Sequence, residues 1–278
     1  MSNRTAIITL LTVLLLSVAT PSHAEEKANA KSKTLLLIGQ GPDGHKPGTH
    51  EFMAGVRIIK KLLAPYRLVN ARIVRADEPW TRGPKKLAEA DGVVLFLTQG
   101  ARWMQNDPRR YQALTKLAQR GGGIVALHWA VGAKDAKYIN GQLKLLGGTR
   151  GGPNRKYTTL TADLRVVDKE HPVMYGVRDF RVRDELYYRL DLVKTKPAIQ
   201  PLLSAKIDGG DETVAWAWER ADGGRSFGFV GLHFHHNWRR AEYRRMVTQA
   251  ILWSLRHPVP KIGVKVDLAE TDLKLPKK

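Results

Sequence analysis

The first half of the chain alternates short, continuous apolar runs with longer segments in which apolar residues recur at helical spacing. Such apolar runs are typical of strands that are covered on both faces. Strands and helices that alternate at short spacing indicate a mostly parallel sheet with helices on both faces. The predicted strands lie at residues 34–39, 68–74, 92–97 and 124–127, and the predicted helices lie at residues 51–63 and 106–119.

The second half is less regular and richer in strand patterns. Residues 156–167 and 214–218 alternate between apolar and polar positions, which predicts strands with one face in water. Residues 225–234 are predicted to form a strand of mixed pattern, and Asn237 is expected to cap a last helix. We therefore expect a single α/β domain with a β-rich second half. The buried stripe of the last helix contains Tyr243, Met246, Val247, Ala250 and Ile251.

The N-terminus has the parts of a secretory signal. Arg4 supplies the positive charge, residues 6–19 form the apolar stretch, and Ser22-His23-Ala24 places small residues at a cleavage site. The stretch is shorter than the roughly 20 residues of a membrane-spanning helix, so an uncleaved anchor is only the alternative, and no later segment is predicted to cross a membrane. We expect export to the periplasm or the medium. The expected boundaries are 1–24 for the signal peptide, 25–33 for a linker, 34–258 for the domain and 259–278 for a C-terminal tail.

Composition narrows the possible chemistry. The 278-residue chain has no cysteine, which excludes disulfides, thiolate metal ligands and every mechanism with a cysteine nucleophile. Its net charge of +20 would concentrate acidic polysaccharides or other polyanions at the surface. The basic residues are spread along the chain and accompany no recognised nucleic-acid motif. We therefore expect no specific nucleic-acid partner.

Two motif matches lack the context that their chemistry needs. Residues 39–44 match G-x-G-x-x-G after a predicted strand, but the next helix is predicted to begin only at Glu51. A dinucleotide site needs a helix that opens on the glycines. Residues 224–228 match G-x-S-x-G, but Ser226 enters a strand instead of a strand-to-helix turn. We interpret the first segment as a flexible loop beside a site and the second as a chance match.

Histidines near strand ends are the candidate reactive groups. His128 follows a buried strand directly, at the sheet edge where ligands bind in open α/β sheets. His233 and His235 are expected on one side of the strand at 225–234, roughly 6.6 Å apart. Asp184 and Glu185 offer carboxylates within a basic stretch. Such groups could perform acid–base catalysis near neutral pH or hold a divalent metal such as zinc.

A series of segments is similar, in order and spacing, to a known family: residues 91–96, 121–128, 171–172, 180, 184–187, 214–216, 231–233 and 251–253. They resemble the ThuA-like (trehalose utilisation) family of the class I glutamine amidotransferase-like superfamily, and the likeness extends over residues 34–256. The resemblance implies a flavodoxin-like sheet with an active-site elbow at or next to His128, and a later histidine at His233. Amidotransferases carry a cysteine at the elbow. Without one, glutamine hydrolysis through a thioester is excluded.

The leading hypothesis is an exported enzyme that acts on a sugar or keto-sugar derivative, since the family resembled is associated with sugar utilisation. Its class (hydrolase, lyase or isomerase) stays open, and metal-assisted catalysis is the second hypothesis. A non-catalytic binder of sugars or acidic polymers is the third. The candidate acid–base residues are His128, Glu185 and His233. The candidate substrate contacts are His45, His50, Trp129, Asp184, Tyr187 and Trp238, and the alternative metal ligands are His128, His233 and His235.

Overall fold

A nine-stranded sheet forms the centre of the protein. The computed structural model describes residues 31–76 and 79–275, so the predicted signal peptide and most of the predicted linker lie outside the described residues. Five strands pair in parallel. In spatial order they are β2 (Val69–Arg75), β1 (Lys33–Gly39), β3 (Gly92–Phe96), β4 (Gly123–Leu127) and β11 (Arg225–Phe229). β3 and β4 are buried along their whole length, as expected for strands covered on both faces, whereas β2 is an edge strand with exposed positions.

The irregular second half supplies the antiparallel part of the sheet. Next to β11 it continues with β10 (Gly210–Glu219), β9 (Gln200–Ile207), β6 (Lys156–Val166) and β7 (Phe180–Tyr188). Two short strands, β5 (Gly148–Thr149) and β8 (Asp191–Leu192), pair separately. The predicted α/β class and its parallel sheet are thus confirmed.

The helices follow the parallel strands, as the alternating pattern predicts. In the helix after β1, the apolar residues predicted at helical spacing, including Phe52 and Ile59, are buried. The helix predicted from residue 106 begins at Pro108, and the Asp107 side chain accepts a hydrogen bond from Arg109 N, as expected for an N-cap. The helices are α1 (Phe52–Leu63), α2 (Gly83–Ala88), α3 (Gly100–Gln105), α4 (Pro108–Gln119), α5 (Ile139–Leu146) and α6 (Ala241–Ser254).

The strand order positions the site. β1 lies between β2 and β3, so the chain reverses its direction of winding there, and such switch points open a crevice at the carboxyl ends of the strands. In the β4–β11 pair, Leu127 lies opposite Phe229. The segments that leave these two strands therefore emerge side by side at the same edge of the sheet.

Three predictions in the second half are wrong, and one of them is the solvent-exposed face of residues 214–218, which are all buried. The strand expected over residues 225–234 ends at Phe229, and the last helix begins at Ala241 rather than after Asn237. Asn237 lies in a short 3-10 turn, where its side chain donates to Arg183 O at 3.0 Å instead of capping a helix. The strand prediction fails because apolar residues after Phe229 are buried by loop packing and not by a sheet neighbour.

Residues 259–275, which belong to the segment that we expected to be a tail, lie against the domain. Val264, Val266 and Leu273 are buried. Arg244 and Arg245 of α6 donate to the carbonyl groups of Val266 and Val264. Among residues 31–76 and 79–275, none of the helices combines the length and the apolar character that crossing a membrane would require.

Candidate functional site

The chain bends sharply at His128, directly after β4. Its φ of +51° is in the left-handed region, which a non-glycine residue seldom adopts, and a 3-10 turn over His128–Val131 follows. The bend lies at the position where the resemblance implies an elbow. The imidazole is 0% exposed. Its Nδ1 donates to Val230 O at 2.9 Å, because a carbonyl can only accept, so Nε2 of the neutral ring is an acceptor.

The loop after β1 supplies a second imidazole. His50 also has a positive φ, +52°, and its backbone N–H donates to His233 O at 3.1 Å. Its Nδ1 donates to Asp43 Oδ2 at 2.7 Å. The carboxylate leaves Nε2 of His50 as an acceptor, the arrangement in which histidine commonly ligates a metal. Asp43 also binds Nδ1 of His45 through Oδ1, at 2.8 Å.

The third imidazole, His233, lies in the loop after β11. Its Nδ1 lies 3.2 Å from His128 Nε2. Buried Asp184 fixes this loop, since its carboxylate accepts from the backbone N–H groups of Leu232 and His233 at 2.7 and 3.1 Å. The Tyr243 hydroxyl donates to the same carboxylate at 3.0 Å.

The three imidazoles meet at His128 Nε2. His50 Nε2 lies 3.0 Å from it, and the ligand atoms of His50, His128 and His233 all lie within 4.8 Å of one another. Two neutral rings that both donate through Nδ1 cannot hydrogen-bond through their facing Nε2 atoms, so a proton or a metal ion must relieve the lone-pair repulsion. Bonds of 2.0–2.1 Å to tetrahedral zinc place ligand nitrogens about 3.3 Å apart. The residues therefore fit a metal ion.

Burial disfavours the protonated alternative. Desolvation lowers the pKa of His50, moves that of His128 well below its usual range, and lowers that of His233 to about 4. The neighbouring imidazoles act in the same direction on His128 and His233, because two charged rings would repel each other. At neutral pH the three rings are therefore neutral, which is the form that ligates metals.

Glu185 and Tyr187, from β7, border the three imidazoles. Glu185 Oε1 lies 3.6 Å from His233 Nδ1 and 3.9 Å from His128 Nε2. Burial raises the pKa of Glu185, which improves it as a proton acceptor near neutral pH. The Tyr187 hydroxyl lies 3.2 Å from His128 Nε2, and its ring stacks on the His128 ring with centroids 4.9 Å apart.

Two further rings, those of His45 and Trp129, lie next to the imidazole of His50. His45 is partly exposed, and its ring centroid lies 3.8 Å from that of His50. The Trp129 ring centroid lies 5.5 Å from that of His50. Its indole Nε1 is buried and has no acceptor among the described residues. Both of these predicted substrate contacts thus lie beside the imidazoles.

Three predicted site residues lie elsewhere or have another role. His235 is not beside His233, because the strand ends at Phe229; its Nε2 donates to Leu273 O at 2.9 Å. Trp238 is 1% exposed and packs edge-on against Phe96, so it offers no face to a sugar. Asp184 is fully buried and binds backbone groups. His50 takes the ligand position that the sequence analysis assigned to His235.

Sequence reasoning missed two residues. Asp43 lies within the G-x-G-x-x-G match, and its position two residues before His45 and seven before His50 was the signal that could have identified it. Arg150 follows β5 and packs on Tyr187, with Cζ 4.3 Å from the ring centroid. Nothing in its local sequence distinguishes it from the other arginines.

Similarities to known proteins agree with this architecture. A ThuA-like protein from Bacteroides uniformis has a TM-score of 0.62 at 17% identity over 85% of this chain and 94% of that one. A cytoplasmic protein from Salmonella typhimurium gives 0.53 at 13%, over 81% and 98%. A β-galactosidase from G. stearothermophilus gives 0.51 at 9%, over 83% of this chain and 31% of that one.

At these identities the solved structures establish the fold alone. Comparison with curated protein sequences gives no significant match. The family model described as trehalose utilisation matches residues 43–254, which include all three imidazoles, Asp43 and Glu185. The chain therefore belongs to the ThuA (trehalose utilisation) family.

Proposed function

We propose that this protein is a metal-dependent enzyme that acts on a sugar or keto-sugar derivative. His50, His128 and His233 are the proposed ligands of a divalent ion such as zinc, and Glu185 is the proposed general base. The observation that carries this proposal is the 3.0 Å approach of two Nε2 atoms whose rings both donate through Nδ1. When bound, the ion would act as a Lewis acid on a substrate oxygen.

Other groups of the protein are proposed to orient the imidazoles, accept a proton and contact the substrate. Asp43 and the Val230 carbonyl orient two imidazoles and hold their protons on Nδ1. Glu185, with its raised pKa, can take a proton from a substrate carbon or hydroxyl next to the three rings. Because Trp129 is only partly buried, its ring can provide an apolar face for a sugar.

The substrate class rests on the family and not on the geometry. The family's description is trehalose utilisation, and the ring of polar groups beside an aromatic face suits a polyhydroxylated ligand. Hydrolase, lyase and isomerase reactions all use a general base beside an electrophile. We therefore propose a screen of sugars and keto-sugars without a preferred reaction.

Metal content tests the proposal directly. Inductively coupled plasma mass spectrometry of the purified protein is expected to find about one divalent ion per chain. His50→Ala, His128→Ala and His233→Ala should each lose it, whereas His257→Ala, three residues beyond the end of α6, should keep it. If the protein neither retains a metal nor loads added zinc, manganese or nickel, the metal role is overturned.

Metal-free acid–base catalysis is the second candidate. The Tyr187 hydroxyl and the Glu185 carboxylate both border His128 Nε2, so this group of residues could pass a proton without an ion. This function would be indicated if the protein lacked metal and turnover of a keto-sugar were lost in His128→Ala and Glu185→Gln.

We also propose that the chain acts after export. The support is the N-terminal pattern of residues 1–24, with its charge, apolar stretch and small residues before the cleavage site. Expression of the full chain in a Gram-negative host should give a periplasmic or secreted product whose intact mass corresponds to a start at Glu25. A cytoplasmic product that retains Met1 or Ser2 would contradict export.

A further inference from the structure

Arg150 carries a positive charge that no ion pair or side-chain hydrogen bond of the described protein satisfies. The residue is 5% exposed. Its guanidinium forms neither an ion pair nor a hydrogen bond with the described residues, and its Nε is buried without a partner. Tyr187 and Tyr157 provide the neighbouring surfaces, with ring centroids 4.3 and 5.3 Å from Cζ. Cation–π contacts compensate only part of the cost of burying a charge.

The backbone holds Arg150 next to the elbow. Its N–H donates to Val131 O at 3.1 Å, and its carbonyl accepts from Ala133 N at 3.0 Å. Gly132 forms a β-bridge with it, and a Cβ at Gly132 would lie only 1.9 Å from Arg150 O. The approach therefore requires glycine. The backbone of Arg150 is thus held directly beside the turn that begins at His128.

The guanidinium also lies near the candidate site, since Arg150 and His128 both pack on the ring of Tyr187. Tyr187, on which Arg150 packs, contacts His128 through its hydroxyl and its ring. Glu185 is close enough to interact electrostatically with Arg150, but no ion pair joins the two among the described contacts. The guanidinium is a planar, cationic group of N–H donors that is buried beside the candidate site and forms no hydrogen bond with the described residues there. Such a group can bind an anionic ligand through two parallel hydrogen bonds.

We propose that Arg150 binds an anionic group of the substrate, so that the sugar handled at the three imidazoles is a sugar acid or a sugar phosphate. This inference rests on the proposed function for the identity of the neighbouring centre. Arg150 then acts as a specificity-determining residue: a neutral sugar would leave the buried charge unpaired, and an anionic one would pair with it. The net charge of +20 favours the approach of such substrates.

Isothermal titration calorimetry with three probes tests this assignment. D-glucuronate, D-glucose 6-phosphate and D-glucose are titrated into the metal-loaded protein. We expect one of the two anions to bind at least about tenfold more tightly than glucose, the range of a charge-assisted hydrogen-bond pair. The preferred anion identifies the group as carboxylate or phosphate. If neither anion binds more tightly than glucose, the proposal is overturned.

Variants separate Arg150 from other positive charges. Arg150→Met should abolish the preference for the anion with metal content unchanged, and Arg150→Lys, which keeps the charge without the fork, should retain part of it. Arg189→Met removes an exposed arginine that pairs with Asp208 and should leave the preference intact. If Arg150→Met does not fold, the lysine variant decides: a preference equal to that of the unmodified protein overturns the proposal.

The ion itself could attract the anion, so the titrations are repeated after chelation. A preference that disappears with the metal and survives in Arg150→Met would assign the anion to the ion and overturn the role of Arg150. An Arg150-dependent preference in a protein that never loads metal would support this inference and contradict the metal role. Metal loading without any preference for an anion over glucose would support the metal role and contradict this inference.

Discussion

The Asp184 carboxylate accepts a hydrogen bond from the backbone N–H of His233, at 3.1 Å from Oδ1. Its other oxygen accepts from Leu232 N at 2.7 Å, and Leu232 has a φ of +74°. One buried side chain on β7 therefore fixes an unusual backbone conformation in the loop after β11. Asp184 is a positioning residue for His233, although it adjoins Glu185 in sequence.

Asp184→Asn is expected to destabilise the protein. An amide can replace one carboxylate oxygen as an acceptor, but its NH₂ group would face a backbone donor and leave it unsatisfied. We expect a loss of about 1–3 kcal/mol in the free energy of unfolding, measured by urea denaturation. Asp211→Asn, at an exposed ion pair with Arg165, is the control and should change little. Equal stability of the two variants would contradict the anchoring role.

Asp43→Asn should weaken metal binding without abolishing it. The asparagine oxygen can still accept from His50 Nδ1, but the negative charge that increases the basicity of the ring is lost. Replacement of such outer partners commonly lowers metal affinity 10–100-fold. Competition with a chelating dye measures the affinity, and Asp135→Asn, at an exposed turn, serves as control. An unchanged affinity in Asp43→Asn would show that this carboxylate does not support His50.

Glu185→Gln should separate catalysis from metal binding. Because glutamine cannot take a proton, kcat for the sugar found by screening should fall by about 10²–10⁴-fold, while metal content stays at its original value. Glu219→Gln, an exposed partner of Arg225, should leave kcat unchanged. A parallel loss of metal and activity would instead make Glu185 a ligand.

The pH profile of the same reaction gives an independent check on Glu185. A base acts in its ionised form, and burial raises the pKa of this carboxyl. If turnover needs no bound ion, the rate should therefore fall as the pH drops through a value above the ordinary pKa of glutamate; a divalent cation beside the carboxylate would move this limb to lower pH. In metal-free protein that still turns over substrate, an acidic limb at or below that ordinary pKa would contradict the assignment of Glu185 as the base.

His171 should make the stability depend on pH. Its Nδ1 accepts from Val173 N at 3.2 Å, and burial lowers its pKa to about 4 from 6.5. Between these values the unfolded chain binds the extra proton, so this contribution to stability is full above pH 6.5 and decreases as the pH falls toward 4. The loss at pH 5 is about 2 kcal/mol.

His171→Asn, which keeps an acceptor for Val173 N, provides the comparison for this pH effect. The other buried histidines titrate in both proteins, so the difference in unfolding free energy between them isolates His171. Urea denaturation of chelated samples at pH 7 and pH 5 should show that the original protein loses about 2 kcal/mol more than the variant. Equal losses would contradict the prediction.

Much of the first half of the fold was predictable from local pattern. The four predicted strand segments are strands β1 to β4; β1, β3 and β4 have apolar sequences because they are mostly buried, whereas β2 is partly exposed. His128 was identifiable because it ends one of these runs. The second half was harder: β7, which carries Asp184, Glu185 and Tyr187, was not predicted as a strand. The strand has charged residues on its exposed face and more charged residues near the candidate site, so its apolar pattern is hard to recognise.

Local sequence pattern was enough to predict the parallel α/β sheet and the place of His128 at a strand end, and composition excluded thiol chemistry. Glu185 and His233 were expected beside His128. Only the folded chain shows that His50, Asp43 and Arg150 join them. His50 and Asp43 come from a loop without periodicity, and Arg150 follows a two-residue strand. Local propensity does not specify where such loops go, because long-range packing and buried hydrogen bonds, such as those of Asp184 to the His233 loop, select their path.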